Sequence, residues 1–146
     1  DAIAALIAAE GVKVSAADES GFTPLHVAAE NNHGNAIAAL LKARDINVNV
    51  AAASRGSTPL HVAVKKGNVD AIAALIAAEG INVNAAAGLR GFAPLHVAAE
   101  MGRVRSIAAL LKARDINVNV AAASRGSTPL HVAVKKGNVD AIAALI

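Results

Sequence analysis

Apolar residues recur along this chain in two patterns. In the first they fall at helical spacing: Ile72, Leu75 and Ile76 stand at i, i+3 and i+4 of Asp70-Ala71-Ile72-Ala73-Ala74-Leu75-Ile76, with alanine between them. Such a stripe predicts a helix with one apolar face. In the second they alternate with asparagine, as in Ile46-Asn47-Val48-Asn49-Val50, and a period of two predicts a short strand. A helix start precedes each stripe, at Thr58-Pro59-Leu60-His61-Val62-Ala63 in one copy. Thr suits the N-cap because its oxygen can accept from a first-turn amide, and Pro suits the next position because its missing N–H has no helical partner there. The helix it opens is expected to run about ten residues, to Gly67, Gly102 or Gly137, with Asn32 as the left-handed residue in the first copy.

The hexapeptide recurs at 23–28, 93–98 and 128–133, and its prolines, Pro24, Pro59, Pro94 and Pro129, lie 35 residues apart each time. A fixed period of this size marks a repeat architecture. Helix, tight turn, helix and hairpin loop around Thr-Pro-Leu-His resemble the ankyrin repeat over the whole chain. Ala28-Ala29, Leu40-Leu41, Val48-Asn49 and the Gly56 before Ser57-Thr58 add to the likeness. The resemblance implies an all-α solenoid of stacked helix-turn-helix units joined by hairpin loops. The chain departs from the family pattern in four ways. Its period is longer by one residue after the leucine pair and one in the hairpin, and the first junction lacks the hairpin insertion. Ala93 replaces the capping Thr, a change expected to cost about 1 kcal/mol. The usual hairpin Asp survives only as Asp18, with Ala53, Gly88 and Ala123 in its place elsewhere.

The repeats place one domain over 1–146, with a partial repeat at 1–20, full repeats at 21–55, 56–90 and 91–125, and a partial repeat at 126–146. Residues 37–76 and 107–146 are identical over 40 positions, so the deeper unit is a pair of repeats. Terminal repeats of solenoids normally carry a polar cap. Neither end shows one, which fits a piece of a longer array or, alternatively, self-association through the uncapped ends.

Composition narrows the classes. No apolar run approaches the roughly 18 residues of a membrane span, and the absence of cysteine excludes disulfide and thiolate chemistry. No signal peptide pattern assigns a compartment. Alanine contributes 38 of 146 residues, which explains most of the apolar fraction. In helices it is the best former. In hairpins, at 51–53, 85–87 and 121–123, it runs against turn preferences and points to a surface blanked of side chains, as in an engineered scaffold.

Candidate chemistry is sparse. His26, His61, His96 and His131 recur once per repeat, whereas a metal needs donors converging within about 2 Å. They are read as structural, and the resemblance implies that each ties its helix start to the neighbouring hairpin. His33 lies alone near a helix turn. Asp1, Asp70 and Asp140 begin second helices, where a carboxylate complements the helix dipole. Gly67-Asn68-Val69-Asp70 lacks the Lys-Ser/Thr of a phosphate loop. No catalytic residue, cofactor or metal site is predicted, and the expected activity is non-enzymatic.

Binding is the expected role. The resemblance places partner contacts on the concave face, along hairpin tips and first-helix ends. By position these are Glu19, Ser20, Phe22, Glu30 and Asn31; then Ser54, Arg55, Ser57, Lys65 and Lys66; then Leu89, Arg90, Phe92, Glu100 and Met101; then Ser124, Arg125, Ser127, Lys135 and Lys136. Two repeats thus offer Phe with Glu and two offer Arg with a Lys pair, and Phe22, Phe92, Arg55 and Arg90 are the expected anchors of a protein partner. Two alternatives stand beside this. One is an engineered scaffold without a natural ligand, which the 40-residue identity favours. The other is polyanion binding, since residues 71–146 carry eight basic against four acidic groups. It ranks lower because aromatics for base stacking are nearly absent.

Overall fold

The computed structural model describes residues 2–9 and 11–146. Helices come in pairs: α1 (Ala2–Ala8), α2 (Pro24–Glu30) with α3 (Gly34–Leu40), α4 (Pro59–Lys66) with α5 (Val69–Ile76), α6 (Pro94–Met101) with α7 (Val104–Leu110), and α8 (Pro129–Lys136) with α9 (Val139–Leu145). Helices α2, α4, α6 and α8 pack side by side as one layer, and α1, α3, α5, α7 and α9 form the other. This is the predicted all-α solenoid. No helix among the described residues is long and apolar enough to cross a membrane.

The first helices are seven or eight residues long, shorter than expected; α4, α6 and α8 end directly at a left-handed glycine, while α2 ends at Asn31 (φ −99°), one residue before left-handed Asn32. Gly67 ends α4 with φ 73° and ψ 27°, a region that costs a side chain energy and glycine nothing. In the first copy Asn32 takes that conformation, at φ 57°. Asp70 and Asp140 stand in the first turns of α5 and α9; Asp1 lies outside the described residues.

Between the layers, Leu25, Ile37, Leu60, Ile72, Leu75, Leu95, Ile107 and Leu110 are fully buried. Burying one such side chain is worth about 1.5–3 kcal/mol. Alanine has a part in this. Ala29, Ala63, Ala98, Ala99 and Ala133 are buried with no exposure on the first helices, where a small side chain lets neighbouring helices approach. Two hairpin alanines, Ala52 and Ala122, are also buried. Hairpins stack closely too: a Cβ on Gly91 would stand 2.5 Å from the Ala123 Cβ. Position 91 therefore has no room for a side chain, and with Ala52 and Ala122 buried, part of the hairpin alanine is packing rather than blanked surface.

The predicted strand at Ile46–Val50 does not form. The segment turns, because Asn47 Oδ1 accepts the Asn49 amide at 3.0 Å and so curls the backbone. Its alternation serves another end. The Asn49 amide group donates to Gly80 O at 2.9 Å while its oxygen accepts the Asn82 N–H at 2.7 Å. Asn84 repeats the pattern onto Asp115 O and Asn117 N–H, at 2.8 and 2.9 Å. Val48 and Val83, between the asparagines, are buried. Strand pairing among the described residues is limited to a single antiparallel bridge, Ala87 with Phe92, inside one hairpin.

Candidate functional site

The concave face is positioned by the histidines. In α4, His61 Nδ1 accepts the Thr58 backbone N–H at 3.3 Å and lies 2.8 Å from the Thr58 hydroxyl, while Nε2 lies 2.8 Å from the Phe92 carbonyl oxygen of the next hairpin. A carbonyl only accepts and a backbone N–H only donates. The ring is therefore neutral, with its proton on Nε2. His26 bonds Ser57 O at 2.8 Å and His96 bonds Ser127 O at 2.7 Å in the same way. Burial pushes all three imidazoles below their ordinary pKa, against a smaller upward pull from these backbone bonds. His131 keeps the local pair with Thr128, at 2.8 Å, and is exposed. Ala93 has no hydroxyl to offer, so His96 holds its helix start through the Ala93 N–H alone, at 3.1 Å. Among the described residues no group of three or more His, Asp or Glu side chains is placed to hold a metal ion.

With the hairpins tied down, two adjoining grooves form along the concave face. The larger, about 760 Å³, lies along α4 and α6 and the hairpins that precede them, and it brings together Ser54, Arg55, Ser57 and Lys65 with Leu89, Arg90, Phe92, Glu100 and Met101. The smaller, about 330 Å³, joins Ser20, Phe22 and Glu30 to Ser54, Arg55, Ser57, Lys65 and Lys66. Arg55 and Lys65 border both. The Phe/Glu and Arg/Lys patches of neighbouring repeats thus face each other across each groove. Glu19, Asn31, Ser124, Arg125, Ser127, Lys135 and Lys136 line neither of the two. Ser57 and Ser127 contribute to the scaffold through their carbonyls, and the Ser124 N–H donates to Arg90 O at 3.3 Å.

The expected anchors differ in what they present. Phe92 is only 9% exposed; its ring stacks on His96 with centroids 4.9 Å apart, and the Arg90 guanidinium lies over it at 4.0 Å. Phe22 stacks on His26 at 5.0 Å but remains partly open. Arg90 grips both carboxylate oxygens of Glu100, the second at 2.9 Å. That hydrogen-bonded pairing holds Glu100 below the usual carboxylate range, with Lys136 and Lys65 adding to the effect. Leu89 is fully exposed and Met101 is 43% exposed. They form the free apolar surface of the larger groove.

Sequence reasoning missed the residues that join one repeat to the next behind this face. Asn68 donates to the carbonyls of Ala29 and Glu30, at 2.9 and 2.8 Å, and so satisfies the open end of α2. Asn138 does the same for Ala99 and Glu100, and Arg103 reaches Lys65 O at 3.2 Å. The available signal was the recurrence of Gly-Asn-Val-Asp at 67 and 137, which marked a helix junction without showing what the asparagine side chain would reach.

A family model described as ankyrin repeats (3 copies) matches residues 1–87, 47–122 and 86–146, which spans the chain. No curated protein matches it significantly. Repeats of this family generally serve as protein–protein interaction modules and are typically non-enzymatic.

Proposed function

The chain belongs to the ankyrin-repeat family, and we propose that it is a non-enzymatic scaffold that binds a protein partner along its concave groove. The observation that carries this reading is the larger groove. It sets the exposed apolar side chains of Leu89 and Met101 beside Arg55 and Lys65, on a frame held by buried histidines. Apolar surface ringed by charge on a rigid support is the usual form of an interface centre and rim. Selection of a displayed protein library on the immobilised chain tests it. Binders should lose about tenfold or more against Arg55→Ala/Leu89→Ala/Met101→Ala, and keep their affinity for Arg44→Ala/Arg114→Ala on other surfaces. Binders indifferent to the groove substitutions would reject the reading. The identity of 37–76 with 107–146 supports a second reading, an engineered scaffold without a natural ligand. Under that reading, libraries of natural protein fragments give no groove-dependent binder.

A further inference from the structure

We propose that the larger groove, along α4 and α6, receives an extended acidic peptide segment, and that Glu100 holds the place of a partner carboxylate in the free protein. This rests on the concave face being the binding surface. Arg55, Lys65 and Arg90 line this groove against one carboxylate, Glu100. Arg55, Lys65 and Lys66 line the adjoining groove against one carboxylate, Glu30. A cleft with an excess of one sign of charge draws an oppositely charged partner and sets its orientation.

Glu100 shows what the cleft accepts. Its carboxylate is gripped at both oxygens by Arg90, with Lys65 and Lys136 close enough to favour its charge. Arg90–Glu100 is the only ion pair among the described residues, so Arg55, Lys65 and Lys66 are held in no salt bridge of their own. The Arg90 side chain is 58% exposed and that of Glu100 19%, so the guanidinium is reachable from solvent, and an ion pair with one open partner is worth little by itself. An incoming Asp or Glu can replace Glu100 on the guanidinium, which stays seated over Phe92. Leu89 and Met101 offer the same segment an apolar contact. Nucleic acid fits less well, because Arg90 covers Phe92, the one phenyl ring lining this groove, on which a base could otherwise stack.

Fluorescence anisotropy with the full chain tests this, using a labelled short Glu/Asp peptide with one central Leu. A Lys/Arg counterpart, a neutral Ser/Leu peptide and a single-stranded oligonucleotide run beside it. The acidic peptide should bind saturably and weaken with added salt. Affinity should fall about tenfold in Arg55→Ala/Lys65→Ala and rise about fivefold in Glu100→Gln, where the internal competitor has lost its charge. Helical circular dichroism verifies that each variant folds. If the basic or neutral peptide binds as tightly, in a manner lost in Arg55→Ala/Lys65→Ala, the groove is a binding surface but its acidic preference is overturned. Unchanged affinity in Glu100→Gln overturns the role of Glu100. Tighter binding of the oligonucleotide overturns the peptide assignment. Absence of peptide binding overturns the whole proposal, while the display selection decides the concave-face reading separately.

Discussion

Residues 37–76 and 107–146 share every side chain, yet they live in different surroundings. Locally they agree. Helix α4 and helix α8 cover the same residues, Thr58 and Thr128 have φ of −81° and −85°, and Gly67 and Gly137 end their helices at φ of 73° and 69°. Burial separates them. Leu60 and Val64 have no exposure, whereas Leu130 is 38% and Val134 58% exposed. His61 reaches across to Phe92, and His131 has only its own Thr128. In the first segment α4 packs on α2 and on α6; in the second, α8 packs on α6 alone among the other first helices. Since the sequence is held constant, the whole difference is the neighbour. A repeat of this kind owes its shape to itself and its stability to the repeat beside it.

The sharpest way to press this comparison is to cut the same atoms from both copies. Leu60→Ala should cost about 3–4 kcal/mol, the usual loss for a fully buried leucine. Leu130→Ala should cost about 1 kcal/mol, because its site is already part solvent. Urea denaturation of the two variants reads the difference directly, and equal losses would break the argument that the neighbour sets the stability.

The histidine pair comes next. His61→Ala strands the Phe92 carbonyl and the Thr58 amide and should cost about 2 kcal/mol, against less than about 1 kcal/mol for His131→Ala. The His61 site should also make stability depend on pH. Burial lowers the folded pKa of His26, His61 and His96, so just below the unfolded value of about 6.5 the unfolded chain binds more protons. The stabilisation is complete above that value and is lost as pH falls toward the folded pKa values. Denaturation midpoints followed downward from pH 7 should decline, and His61→Ala should flatten the decline.

The smallest effect concerns a cap. Ala93 sits where Thr58 and Thr128 bond their histidines. Ala93→Thr should restore a hydroxyl beside His96 Nδ1 and add about 1 kcal/mol, seen as a higher melting temperature.

Much of this was legible in the chain, for identifiable reasons. Pro, Thr and Gly restrict or free the backbone at single positions, so helix starts and stops could be placed from Thr58-Pro59 and Gly67 alone. The asparagine alternation misled because period two suits both a strand and a turn whose polar side chains point to the next repeat. Only the adjacent repeat distinguishes these. The concave positions could be named one by one, but not which of them are free. Phe92 reads as an anchor of the groove, but its 9% exposure and its cover by Arg90 could not be read, because Arg90 and Glu100 stand ten positions apart and meet only when the hairpin folds back on its helix.

By itself the sequence determined the repeat, its period and the order of helix, turn and helix, since these follow from backbone preferences acting within a few residues; the all-α class came with the family resemblance, because the local pattern at 46–50 pointed to a strand. Stacking decided the rest: which of two identical leucines is buried, and which histidine is locked in its neutral form. Those properties depend on solvent exclusion and on partners 31 or more positions away. They come into being only when one repeat lies against the next.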